Sequence, residues 1–413
     1  MPKIIIVSGI QLANNPRVVK EANALSEAGF DVEVLGAILS PEAAERDEQL
    51  CVGKAWRYTP VVDNRNTDAL SRLRWIRLRM RSRLAREAYQ RFGHCSVSQL
   101  GYAGPQMLRI CRERSADLYS IHLEQALWVG CELLKLGKRV SVDFEDYYSE
   151  DLLPKDRLHR PVVMLQACER MLHQQAEFKL TTSESLADAL QEAYGGDRAL
   201  VIPNTFPWKE RQHLDGKQLD RQHPNRLSVF WFSQTLGPQR GLEDLMAATH
   251  HIQADAEIHL RGNCSAGFRE QLLSSAATNY RDRIFIHRQC SHRELISRIA
   301  EHDIGFAGET AYCPSRDLTI TNKVLQYLQA GVPLVASNTS GQREVQRCCP
   351  DGVQLYEPGD AKALAAAIDR WSDADVRTNA ARAALSIAET EFNWERTSAK
   401  LVKAFTSALE SAG

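Results

Sequence analysis

The chain has no apolar run near the ~20 residues that a membrane-spanning helix needs. It also has almost no net charge, with 51 Lys and Arg against 52 Asp and Glu in 413 residues. The first absence predicts a soluble protein, or one at most peripheral to a membrane. The second removes any global field that would select nucleic acid. Ten cysteines are present but never as C-x-x-C, so no zinc-type cluster is expected, no metal is assigned, and the thiols read as reduced, buried and cytosolic. Short-period repeats and low-complexity tracts are missing as well. The opening run Ile4–Val7 is too short for a signal-peptide core and suits the buried first strand of a parallel sheet.

What is present is a double alternation of short apolar runs and amphipathic segments. Strands are expected at Lys3–Val7, Asp31–Leu35, Leu118–Ile121, Arg139–Phe144, Lys179–Thr182 and Leu200–Ile202, with helices at Pro16–Ala28, Ala126–Leu136, Pro161–Glu177 and Ser185–Tyr194. The polar stretch 206–225 reads as a linker. A second series follows, with strands at Ser228–Phe232, Glu257–Leu260, Arg283–Ile286, Ile304–Ala307 and Pro333–Ala336, and a last helix near Trp394–Leu409. The pattern predicts an α/β protein of two Rossmann-like, doubly wound domains, 1–205 and 226–389, with a ligand cleft between them.

Two segments carry the chemistry. In Trp231-Phe-Ser-Gln-Thr-Leu-Gly-Pro-Gln-Arg-Gly-Leu-Glu243 a strand runs through a Gly/Pro loop into a helix. Amides at such a helix start face phosphate readily, and Arg240 adds a forked cationic donor. In Asp317-Leu-Thr-Ile-Thr-Asn-Lys-Val-Leu-Gln326, Thr321 or Asn322 is a good N-cap. The amides near Thr319–Asn322 suit a diphosphate, and Gln326 lies one turn inside the helix, within reach of a ribose hydroxyl. The same stretches also read as a surface arginine and an ordinary capped helix.

These segments resemble a family. Asn15-Pro-Arg-Val-Val-Lys-Glu-Ala-Asn-Ala-Leu-Ser-Glu-Ala-Gly29, Asp117-Leu-Tyr-Ser-Ile-His-Leu-Glu124, Val142-Asp-Phe-Glu-Asp146, Ser183-Glu-Ser-Leu186, Val201-Ile-Pro-Asn204, Leu325-Gln-Tyr-Leu-Gln-Ala-Gly-Val-Pro-Leu-Val-Ala-Ser337 and Phe392-Asn-Trp-Glu395 stand in the order of the family 4 (group 1) retaining glycosyltransferases of GT-B fold. The resemblance implies a hexosyltransferase that moves sugar from a nucleotide diphosphate to an acceptor hydroxyl. It also implies a final helix, 390–411, that crosses back onto the acceptor-side first domain, while the second domain holds the donor. His122 matches a histidine that contacts the donor sugar. Arg240 takes the place of a diphosphate-gripping lysine, and the preceding family arginine falls on Gln234. Gln326 matches the ribose-binding glutamate. The first glutamate of that pair falls on Leu318, which leaves Glu309 as its substitute.

The catalytic set is His122, Arg240 and Glu309, with Lys323 added as a first-turn cation beside the amides of 319–322. The donor set is Gly9, Asn14, Ser233, Gln234, Arg240, Arg261, His287, Thr319, Thr321, Asn322, Lys323 and Gln326. Asn15, Glu145 and Asp146 are assigned to the acceptor. No cofactor is required beyond the sugar-nucleotide co-substrate, with UDP-sugar preferred over GDP-sugar, and the acceptor is a saccharide or a lipid-linked hydroxyl. A silent nucleotide-binding partner protein and a sugar-nucleotide epimerase are the competing readings. Separately, Arg72–Arg86 carries seven arginines with Leu73, Ile76, Met80 and Leu84 at helical spacing and Trp75 as an aromatic at the interface. Such a helix lies either on an anionic cytoplasmic leaflet or, as a basic surface helix, against the first domain.

Overall fold

The computed structural model describes residues 1–65, 68–221 and 223–410. The chain divides into two units. One comprises Met1–Ile202 with the residues from Ser398 on, and the other comprises Pro203–Thr397.

The first unit is built on a sheet of seven strands: β1 Lys3–Ser8, β2 Asp31–Ile38, β3 Arg57–Asp63, β4 Leu118–His122, β5 Val140–Phe144, β6 Lys179–Thr181 and β7 Leu200–Val201. Its order is β3-β2-β1-β4-β5-β6-β7, and the pairs are parallel. Parallel strands covered by helices on both faces become continuous apolar runs, and Ile4, Ile5, Ile6 and Val7 are accordingly fully buried. Near the chain end, Phe405 packs edge-on to Phe178 at 4.9 Å and Arg139 donates to the Ala408 carbonyl at 2.6 Å, which joins this last helical stretch to the first unit. Residue 411, the expected end of that helix, lies outside the described residues.

The second unit repeats the plan with β8 Leu227–Thr235, β9 Ala256–Asn263, β10 Ile284–His287, β11 Ile304–Ala307, β12 Leu334–Ser337 and β13 Val353–Tyr356, in the order β10-β9-β8-β11-β12-β13. Both sheets are therefore doubly wound. Their strand order reverses direction beside β1 and β8, where loops on either side part at the carboxyl ends and leave a crevice for a ligand. The switch point lies between β1 and β4 in the first unit and between β8 and β11 in the second.

The sequence pattern missed β3 and β13. Both are edge strands, where one face of the hydrogen-bond ladder is open. An edge tolerates Pro60 in β3 and needs no long apolar run. The segment 206–225 is polar as read, yet much of it packs on the second unit: Asp220 is buried, and Asp215 pairs with Arg298 at 2.7 Å. Polarity marked it as a linker because its charges have partners far along the chain.

Candidate functional site

At the first switch point, the loop after β1 is pinned by reciprocal hydrogen bonds between Gln11 and Ser40, at 3.1 and 2.9 Å, and by the Ala13 amide donating to Asp47 at 2.8 Å. Gly9 lets this loop approach the helix Leu123–Lys135, since a Cβ there would lie 3.1 Å from that of Gln125. Asn14 is exposed. Asn15 caps the helix Pro16–Glu27, accepting from the Arg17 and Val18 amides, and its Nδ2 donates to Glu145 Oε1 at 2.9 Å.

His122 ends β4, in register with Ser8 and Asp143. It is fully buried, with Nδ1 3.0 Å from Glu145 Oε1 and Nε2 3.2 Å from Glu21 Oε2. Burial pushes the imidazole toward neutrality, but Glu21, Glu145 and Asp143 outweigh it and hold the pKa up at about 10. The charges around it thus favour the imidazolium form, with Nδ1 in a hydrogen bond to Glu145 and Nε2 at ion-pair distance from Glu21. Burial works to raise Glu145, and its hydrogen bond to His122 overcomes that and keeps it ionised. Glu145 alone of these partners keeps a partly exposed side chain, at 15%. Asp146 follows it, half-buried.

Leu123, next after His122, holds φ 68°. A left-handed leucine costs about 1–3 kcal/mol and persists where its surroundings enforce it. Here it turns β4 directly into the following helix at His122.

Arg17, Glu21 and Asp143, which the sequence reading did not single out, complete the cluster. The Arg17 guanidinium grips Asp143 at 2.6 and 3.1 Å and donates to the Ile202 carbonyl at 2.8 Å. Ser120 donates to Glu21 at 2.8 Å. The signal lay in the sequence: Arg17 and Glu21 sit four apart on the helix face that buries Val18, Ala22 and Leu25, where charges are rare unless paired. Glu21, His122 and Asp143 bring ligand-type atoms within 4.8 Å of one another. In the structure the Arg17 guanidinium supplies positive charge beside this group through its contacts with Asp143.

At the second switch point, β8 carries Ser233 and Gln234 into a loop where Gln239 (φ 65°) and Gly241 (φ 73°) are left-handed. A Cβ on Gly241 would lie 2.7 Å from the Gly308 Cα, so only glycine allows the loops after β8 and β11 to touch. Arg240 is exposed, with Nη1 3.4 Å from Ser233 Oγ. Thr310 donates to the Gln239 carbonyl at 2.9 Å, and the Glu309 amide donates to Ser337 Oγ at 2.7 Å.

The helix Asn322–Ala330 points its start at this loop pair. Thr321 occupies the N-cap position, but its side chain accepts no capping bond and its buried Oγ1 has no partner. The expected side-chain cap is therefore not made, and the first-turn amides keep their capacity for an anion. Lys323 is 9% exposed, with Nζ 3.3 Å from Glu309 Oε1 and 5.1 Å from the Trp231 ring centroid. Burial lowers its pKa; Glu309 opposes this, and the Arg240 and Arg316 guanidiniums reinforce it. Gln326 is equally buried, and its amide has no hydrogen-bond partner among the described residues. Thr319 spends its hydroxyl on the Ser315 carbonyl at 2.7 Å, and Asn322 accepts from Asn204 at 3.0 Å.

Arg261 and His287 stand in register at the same sheet end, but both Arg261 Nη atoms and the His287 ring are engaged elsewhere. Arg261 pairs with Asp220 and donates to the Arg288 carbonyl at 2.5 Å. His287 lies 2.9 Å from His259 and 3.4 Å from Asp220, and burial drops its pKa to about 4. The structure thus groups Ser233, Arg240, Glu309, Thr321, Lys323 and Gln326 around one loop pair and sets Arg261 and His287 in a separate buried polar network.

Among solved structures, the chain is similar to sucrose-phosphate synthase (tll1590) from Thermosynechococcus elongatus, with 16% identity over the whole of both chains and a TM-score of 0.73. It is also similar to Anabaena Alr3699/HepE in complex with UDP and glucose, with 16% identity over 98% of this chain and 100% of that one and a TM-score of 0.70. A third likeness is to "Trehalose-6-phosphate from E. coli bound with UDP-2-fluoro glucose", with 15% identity over 98% of each chain and a TM-score of 0.64. No curated protein sequence gives a significant match. At these identities the likeness establishes the fold alone, a GT-B fold of two doubly wound sheets. Residues 15–205 match the description "Glycosyl transferase 4-like domain" and residues 227–373 match "Glycosyl transferases group 1". The chain belongs to the group 1 glycosyltransferases.

Proposed function

We propose that this glycosyltransferase moves a hexosyl group from a UDP-sugar to an acceptor hydroxyl with retention of configuration. The observation that carries the donor half is the convergence of Lys323, Arg240 and the uncapped start of the helix Asn322–Ala330. Cleaving a glycosyl–phosphate bond builds negative charge on the departing diphosphate, and oriented amides with fixed cations stabilise it without reorganising. In this reading Arg240 and Lys323 hold the diphosphate, and Gln326 turns its unpartnered amide to the ribose. Glu309 orients Lys323 where the family's first glutamate falls on Leu318. Ser233, Gln234 and Thr319–Asn322 line the phosphates.

In the first unit, His122, Gly9 and Asn14 are assigned to the donor sugar, and Asn15, Glu145 and Asp146 to the acceptor. With both nitrogens facing carboxylates, His122 acts here as a fixed cation and not as a base. The acceptor proton passes to the leaving phosphate. The preference for UDP rests on the similar structures bound to UDP or a UDP-sugar. The acceptor is a saccharide or a lipid-linked hydroxyl.

A thermal-shift screen of purified protein against UDP, GDP, ADP and TDP tests the base, since the tightest ligand raises stability most by mass action. Turnover of the matching sugar nucleotide with acceptor, followed by NMR of the new anomeric centre, tests transfer and retention. Nucleotide binding without turnover under any acceptor would instead make the chain a silent partner protein.

A further inference from the structure

The helix Ala69–Phe92 carries eight arginines against a single acidic residue, Glu87, which pairs with Arg83 at 3.3 Å. It has two apolar seams. Ser71, Trp75, Leu78, Ser82, Ala85 and Tyr89, spaced at three and four residues, form the inner one. None of them is exposed, Ser82 is buried, and Trp75 packs edge-on to Tyr102 at 5.0 Å. Trp75 is therefore not the interfacial anchor that its place in the sequence suggested. The second seam, Leu70, Leu73, Ile76, Met80 and Leu84, is 51–68% exposed.

At 100° per residue this outer seam is bordered on one side by Arg74, Arg77 and Arg81 and on the other by Arg72, Arg79, Arg83 and Arg86, all exposed. Near the far end, His159 lies 3.4 Å from Gln90, which sets the exposed Leu158 beside the helix. Soluble proteins rarely leave such a stripe bare. No helix among the described residues is long and apolar enough to cross a membrane.

We propose that the outer seam of the helix Ala69–Phe92 docks this protein flat on an anionic lipid bilayer, with the leucines, Ile76 and Met80 among the acyl chains and the two arginine rows on the headgroups. The charge pattern selects this occupant. An apolar stripe bordered on both flanks by cations matches the boundary between acyl chains and acidic headgroups. A second copy meeting the same face would oppose arginine to arginine. The proposal is independent of the glycosyl-transfer reading, because the seam contains none of the residues assigned to donor or acceptor.

The test is flotation of the full chain with vesicles of equimolar phosphatidylglycerol and phosphatidylcholine, or of phosphatidylcholine alone. Binding is expected to the first and not to the second. Leu73→Ser/Ile76→Ser/Met80→Ser/Leu84→Ser is expected to lower binding at least ~tenfold, with circular dichroism unchanged. Arg77→Gln/Arg81→Gln is expected to lower it about thirtyfold. A Met80→Trp variant should show a blue-shifted emission with anionic vesicles. Failure of wild type to float at low salt overturns the proposal. So does undiminished binding by the serine variant, which would mark a generic polyanion surface. A dimer that the serine substitutions convert to monomer would assign the face to a second copy instead. Turnover of a soluble donor and acceptor is expected to be the same in all these variants, so failure here is distinct from failure of the catalytic reading.

Discussion

Lys323 Nζ lies 3.3 Å from Glu309 Oε1, and both side chains are about nine-tenths buried. The lysine sits within the fields of Arg240 and Arg316, and Glu309 is the carboxylate that most strongly supports its charge. Glu309→Gln removes the influence that opposes burial and lets the lysine pKa fall further. The protonated lysine is the form that stabilises a leaving diphosphate, so rate is lost as pH rises through its pKa. The alkaline limb of the kcat/KM profile should therefore move to lower pH in Glu309→Gln. An unmoved limb would remove Lys323 from the reacting set.

Lys323→Met should lower kcat/KM about 100- to 1,000-fold, the usual effect of deleting one donor to a developing anion. Arg240 is exposed and screened, so Arg240→Gln should raise the Kd for UDP by a smaller factor, about tenfold. Stopped-flow or steady-state kinetics with calorimetric UDP binding separates the two.

Gln326→Glu places a carboxylate where the family has one. Charge-assisted hydrogen bonds are roughly twice as strong as neutral ones, so UDP should bind about tenfold more tightly by calorimetry. The gain should vanish with 2′,3′-dideoxyuridine diphosphate, which has no ribose hydroxyls to meet the carboxylate. A gain that persists with the dideoxy nucleotide would contradict the ribose assignment.

His122 holds its proton up to about 10 in the folded chain, against an ordinary value of 6.5. Its folded pKa is raised, so the native state binds the extra proton between those values. The stabilisation is complete below about 6.5 and is lost as pH climbs toward 10. The melting temperature of wild type should fall across that window more steeply than that of His122→Gln. Parallel curves would show that His122 is neutral when folded.

Arg17→Met should cost about 3–5 kcal/mol in urea unfolding of the first unit, because Asp143 would be left buried without its partner. Arg17→Met/Asp143→Leu should recover much of that loss, since replacing a buried pair by apolar groups is often nearly neutral.

The amino-acid sequence by itself determined the two βα series, the buried parallel strands and the loops after β1 and β8, because periodicity and turn chemistry are local and survive without any contact. It also singled out Arg240 and Gln326 by family resemblance and Lys323 by its position in the first turn of a helix. Only the tertiary structure decided which charges meet. Lys323 finds Glu309 from 14 residues away and Arg17 finds Asp143 from 126 away, and no local pattern encodes such distances. It surrounded His122, which the resemblance assigns to the donor sugar, with Glu21, Asp143 and Glu145, and it committed Arg261 and His287 to Asp220. In the arginine-rich helix, spacing showed apolar positions but not which seam would be covered. That depended on where Tyr102 lay to receive Trp75, and burial of one seam left the other facing outward.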